Sequence, residues 1–67
     1  MAWQDVEHNW TERKMKVRAK WTRLSNDDLD FIAGSRDKLI SKIQQHYVRG
    51  RDEAEVELNS WLANRHH

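Results

Sequence analysis

Residues 10–24, Trp10-Thr11-Glu12-Arg13-Lys14-Met15-Lys16-Val17-Arg18-Ala19-Lys20-Trp21-Thr22-Arg23-Leu24, decide the fold. At about 100° per residue, Trp10, Val17, Trp21 and Leu24 fall on one face of a helix. Trp3 and Val6 extend the same line upstream, and all six lie within roughly 60° of arc. No acidic residue stands between Arg13 and Arg23. The aromatic line is therefore flanked by Arg13, Lys14, Lys16, Arg18, Lys20 and Arg23. Such a stripe can be a core face with solvated sides, a nucleic-acid surface, or a helix lying on a membrane.

Outward from this stretch the chain reads as helix throughout. There is no proline, Gly34 and Gly50 are the only glycines, and no segment alternates with period two. The first helix is predicted from Trp3 or Asp5 to Leu24. Ser25 and Asp28 have the spacing of a capping box, which starts a short helix carrying Leu29 and Ile32 inward and Phe31 partly so. Gly34 suits the left-handed position after a helix end, and Ser35 can cap the next helix. That third helix presents Leu39, Ile40, Ile43 and Tyr47 on one face. After a turn through Val48, Arg49 and Gly50, the fourth runs from about Arg51 to Asn64 with Ala54, Leu58, Trp61 and Leu62 inward. The expected architecture is all-α: four short-to-medium helices forming two packed hairpins, with no strands. One domain over residues 1–67 is expected, with 1–4 and 64–67 frayed.

Composition bounds the chemistry. A 67-residue chain without cysteine has no disulfide or thiolate metal site to reinforce a small core. Four tryptophans take that role, since each can bury roughly 200 Å². Residues 1–25 hold six basic and three acidic side chains, a net +3. Residues 26–67 hold six basic and eight acidic ones, a net −2, so the two parts can attract each other within one fold. No apolar run approaches a membrane span or a signal-peptide core, which implies a cytoplasmic protein.

Trp10, Val17, Trp21, Leu24, the run Asp27-Asp28-Leu29, Ile32, Gly34, Arg36-Asp37, Leu39, Lys42-Ile43-Gln44, Tyr47, Ala54 and Trp61 together resemble the CsbD-like family of bacterial stress proteins. The resemblance covers residues 10–61. It implies a small cytosolic helical protein of the general stress response, with two nearly orthogonal hairpins similar to a SAM domain, and it implies no defined reaction. The chain departs from the family pattern at Met15 and Thr22, where glycine is common, and at Arg13, where an apolar residue is usual. It departs again at Val48, another frequent glycine. Valine resists positive φ, so the strain of that turn is expected to move to Gly50.

No motif for catalysis stands out. His8 and His46 lack metal-ligand spacing, and His66-His67 has the look of a frayed terminus. Asp27, Asp28 and Asp30 lack the glycine and terminal glutamate of a calcium loop, and capping accounts for them. Ser25, Ser35, Ser41 and Ser60 have no nucleophile elbow, and there is no phosphate-binding glycine loop. The reading is a non-enzyme with no catalytic, cofactor-binding or metal-binding residues.

One constellation remains. Arg13, Lys16, Lys20 and Arg23 are spaced 3, 4 and 3, which makes one row beside the tryptophan face and a candidate polyanion site that could follow DNA or RNA phosphates. The acidic fourth helix could lie against this row and neutralise it. Trp3 and Met15 lie off the framework and are the candidates for weak contact with a lipid surface or a partner. The sequence thus favours a non-enzymatic stress-response protein, an interaction or protective module with an unknown protein partner, monomeric rather than oligomeric. Nucleic-acid binding and weak membrane association are the alternatives. The expected core is Trp10, Val17, Trp21, Leu24, Ile32, Leu39, Ile43, Tyr47, Leu58 and Trp61.

Overall fold

The computed structural model describes residues 2–63, all-α and without strands, in five helices: α1 Trp3–His8, α2 Trp10–Lys20, α3 Asn26–Ile32, α4 Arg36–Tyr47 and α5 Arg51–Ala63. The expected four become five because the first does not run unbroken from Trp3 to Leu24. Asn9 leaves helical geometry at φ −119°, ψ 39°. Its side-chain amide donates to the Asp5 carbonyl at 3.1 Å and shares that acceptor with its own backbone N–H at 3.3 Å, a local turn that ends α1. The Asn9 carbonyl accepts from Glu12 and Arg13 N–H at 3.0 and 2.8 Å, which restarts the chain as α2. Trp3 and Gln4, expected to be frayed, belong to α1. Asn64–His67, where the last helix was expected to end and fray, lie outside the described residues.

The far end of α2 also departs from expectation. Trp21 closes the helix at φ −111°, ψ 81°, and Leu24 N–H then bonds the Trp21 carbonyl at 3.1 Å in a turn. Trp21 and Leu24 are both buried by that bend. Tertiary packing overrides helix propensity here, as it commonly does at helix ends.

The signals around α3 and α4 act as their spacing predicts. Ser25 Oγ accepts from Asp28 N–H at 3.1 Å while an Asp28 carboxylate oxygen accepts from Ser25 N–H at 3.0 Å. Ser35 Oγ accepts from Lys38 N–H at 3.3 Å and starts α4. The chain turns between them through Ala33 at φ 46° and Gly34 at φ 88°. A Cβ on Gly34 would meet Glu7 at an ordinary 3.5 Å, so the backbone angle requires glycine there and space does not.

The turn after α4 corrects an expectation. Val48 itself adopts the left-handed region, at φ 51° and ψ 53°, and Gly50 does not. Gly50 instead opens α5: its carbonyl accepts from Ala54 N–H at 3.0 Å and its N–H donates to Glu53 at 3.3 Å. The cap cannot slide two residues because Tyr47 is pinned, its hydroxyl accepting from Arg23 N–H at 2.9 Å. Val48 therefore carries a strain of about 1–2 kcal/mol. Its side chain is 91 % exposed.

Helices adjacent in sequence pack pairwise: α1 on α2, α3 on α4, and α4 on α5. The buried core is Val6, Val17, Trp21, Leu24, Leu29, Ile32, Leu39, Ile40, Ile43, Ala54 and Leu58. Trp3, Trp10, Tyr47, Trp61 and Leu62 are half-buried against it. Phe31, expected partly inward, stands 53 % exposed under two cations, with Lys38 and Lys42 Nζ 5.0 and 4.9 Å from its ring centroid.

Candidate interaction surface

The basic row is divided by the end of α2. Arg13, Lys16 and Lys20 share a side of the helix, but Arg23 lies beyond it and turns towards α4. Its guanidinium donates to the His46 carbonyl at 3.0 Å and stacks over the Tyr47 ring, 5.3 Å from the centroid. Arg23 thus ties the α2–α3 turn to the C-terminus of α4, where a cation also meets the negative end of the helix. The 3-4-3 spacing assumed a helix continuing to Leu24, and four cations in one row require it. Arg13 is half-buried; Lys16 and Lys20 are exposed and pair with no carboxylate among the described residues.

Among the described residues the acidic helix does not neutralise Lys16 or Lys20 by direct pairing. Glu57 lies 3.6 Å from Arg49, Glu55 lies 3.7 Å from Arg51, and Arg51 also bonds Asp37. Each carboxylate on α5 that is paired meets a cation from the α4–α5 loop or from its own first turn.

Glu57 has a second task. Its Oε1 accepts the indole N–H of Trp21 at 2.8 Å. Trp21 is 1 % exposed, and a buried donor without a partner costs about 1–3 kcal/mol. Trp61 completes the junction, its ring edge-on to Trp21 at a centroid distance of 5.5 Å and 63°. Sequence spacing has no means of finding a pair 36 positions apart. The available signal is chemical: a core tryptophan needs an acceptor, and Glu57 borders the inward residue Leu58.

Asp28 is more than a cap. It lies 3.2 Å from Lys42 Nζ, and its other carboxylate oxygen lies 2.9 Å from His46 Nε2. That His46 nitrogen has no hydrogen-bond partner among the described residues, so the contact counts as an ion pair only when the ring is protonated. The Ser25 backbone N–H, chiefly, and then Lys42 hold the Asp28 carboxyl at about 2, below its ordinary 3.8, against an opposing effect of burial.

Next to the Trp21–Trp61 junction the surface opens into a groove of about 600 Å³. Val56, 64 % exposed, and Trp61 form its apolar part; Lys20 and Arg49 contribute positive charge, and Asp52 and Glu53 negative charge. Of the sequence candidates, only Lys20 reaches it. Met15 is exposed and does not line this groove. Trp3, expected to be free for contact, instead donates its indole N–H to the Gly34 carbonyl at 3.0 Å and packs against Trp10 at 6.3 Å. No three histidine, aspartate or glutamate side chains gather as a metal site among the described residues.

The fold and surface together define a small all-α domain built on tryptophan, with an amphipathic groove on one side. The chain is 45 % identical to the UPF0337 protein YjbJ of Escherichia coli O6:H1 over 53 residues, 79 % of this chain and 77 % of the relative. It therefore belongs to the UPF0337 family, which corresponds to the CsbD-like proteins. A UPF0337 protein of Nitrosomonas europaea is 44 % identical over 61 residues, 91 % of this chain. The chain spans 65 % of that relative's length. A UPF0337 protein of Pectobacterium atrosepticum is 40 % identical over 53 residues. No family model matches the chain. No solved structure matches it. No described helix is long and apolar enough to cross a membrane.

Proposed function

We infer that the protein is a non-enzymatic, cytoplasmic module of the bacterial stress response that acts by binding a protein partner. The stress context rests on the resemblance to the CsbD-like family. The binding mode rests on one observation, the groove between Lys20 and α5. A half-buried tryptophan and an exposed valine framed by both signs of charge have the composition of a protein contact, apolar at the centre and polar at the rim. A photo-crosslinking residue at position 56 in stressed cells tests this, with position 30 on exposed α3 surface as the control. A discrete protein adduct at 56 and none at 30 supports the reading. Absence of adducts at 56, or equal labelling at both positions, contradicts it.

A second reading keeps polyanion binding, supported by the exposure of Lys16 and Lys20 without described carboxylate partners. With Arg23 engaged on α4, the residual row is short, and salt should weaken such binding steeply. Amide shifts on addition of duplex DNA, confined to residues 13–20 and lost at moderate salt, would favour it. Shifts absent with both DNA and anionic vesicles would remove it and the membrane reading together.

A further inference from the structure

The groove carries a pattern that identifies an occupant. Asp52, Val56 and Ser60 recur every four residues and so form one row along α5, with Val56 at its centre. The N-terminal end of that row bears Asp52 beside Glu53; Arg49, which also lines the groove, is held by Glu57 at 3.6 Å, so that end is acidic in sum. Lys20 lines the groove towards the other end, where its neighbour Trp21 bonds Glu57 and packs on Trp61. Lys20 and Asp52 are both exposed and have no ion-pair or hydrogen-bond partner among the described residues. A surface that is acidic at one end, apolar in the middle and basic at the other is complementary to itself when turned through a half rotation.

We propose that this face binds a second copy of the chain, with the two α5 helices antiparallel across a two-fold axis at Val56. The rotation places position 52 of one copy opposite position 60 of the other, so each Asp52 meets the Lys20 end of its mate. The two valines meet at the centre, and the half-buried Trp61 rings gain cover on either side. Antiparallel helices also oppose their dipoles favourably. A closed isologous contact of this kind stops at two copies. The contact is small and belongs to the weak, concentration-dependent class of interfaces. It differs from the monomer expected from sequence and names one occupant for the protein-binding groove, on which it rests.

Sedimentation of the full chain at low salt, from about 10 μM to about 1 mM, reads the association directly. The mass should rise from one chain towards two, and Val56→Glu should stay at one because it sets two carboxylates face to face. Lys20→Glu and Asp52→Lys each turn both charge contacts repulsive and should weaken pairing by about tenfold. An equimolar mixture of the two variants restores both contacts as attractions and should associate more tightly than either alone. All three positions are exposed, and unchanged far-UV circular dichroism verifies that each variant is folded. A wild type that stays at one chain throughout overturns the proposal, as does a mixture no tighter than its components. Monomers that still crosslink to another protein at position 56 would leave the groove reading standing; loss of both would remove both.

Discussion

The molecule holds two tryptophan pairs that differ in burial and in hydrogen bonding. Trp21 and Trp61 meet edge to face, Trp21 is fully buried, and its N–H is answered by a carboxylate. Trp3 and Trp10 meet at a tilt of 52°, both are half-buried, and the Trp3 N–H is answered by a backbone carbonyl. The first pair closes the core where α2 meets α5. The second fastens the short α1 over the α3–α4 turn. Burial and hydrogen-bond partner, rather than residue type, set what each tryptophan contributes.

The strongest way to break this contrast is Trp21→Ala. It should cost about 3–5 kcal/mol and largely unfold so small a domain, read as loss of a cooperative thermal transition. Next in size is Glu57→Ala, which strands the buried indole N–H and should cost about 1–3 kcal/mol in urea denaturation. Glu57→Gln keeps an acceptor oxygen, so it should recover much of that loss; equal losses would show that charge against Arg49 matters more than the indole bond.

Away from both pairs, Asp28 supplies a pH-dependent contribution. Its folded-state value of about 2 lies below the ordinary 3.8, so the unfolded chain binds the proton more readily. The resulting stability, about 1–2 kcal/mol, is fully present above 3.8 and disappears as pH falls through 2. Denaturation midpoints from about pH 5 to about pH 2 should therefore fall less steeply for Asp28→Asn than for the wild type. The smallest effect is a gain: Val48→Gly should relieve the left-handed cap and stabilise the protein by about 1 kcal/mol, visible as a higher Tm.

Local features were legible in the sequence. Ser25 with Asp28, Ser35 with Lys38, and Gly34 at positive φ act within three or four residues, where spacing alone specifies the bond. The periodicity of α4 and α5 likewise placed Leu39, Ile43 and Leu58 inside. What escaped it depends on distant contacts. α2 stops at Lys20 in an arrangement where Trp21 reaches Glu57 and Arg23 reaches Tyr47. Val48 takes the strained cap because Tyr47 is already fixed. The Asn9 break was local, a turn whose side chain and N–H share the Asp5 carbonyl, but the tryptophan period made the helix look continuous. The candidate surface obeys the same division. Lys20 was visible as a cation, whereas its groove with Val56 and Trp61 exists only once α5 folds back.

The most direct test of the contrast between the pairs is urea denaturation of Trp21→Phe beside Trp3→Phe, each keeping a ring and losing an indole N–H. Trp21→Phe is expected to lose at least twice as much stability, about 2 kcal/mol against about 1 or less. Equal losses, or a larger loss at Trp3, would contradict the contrast.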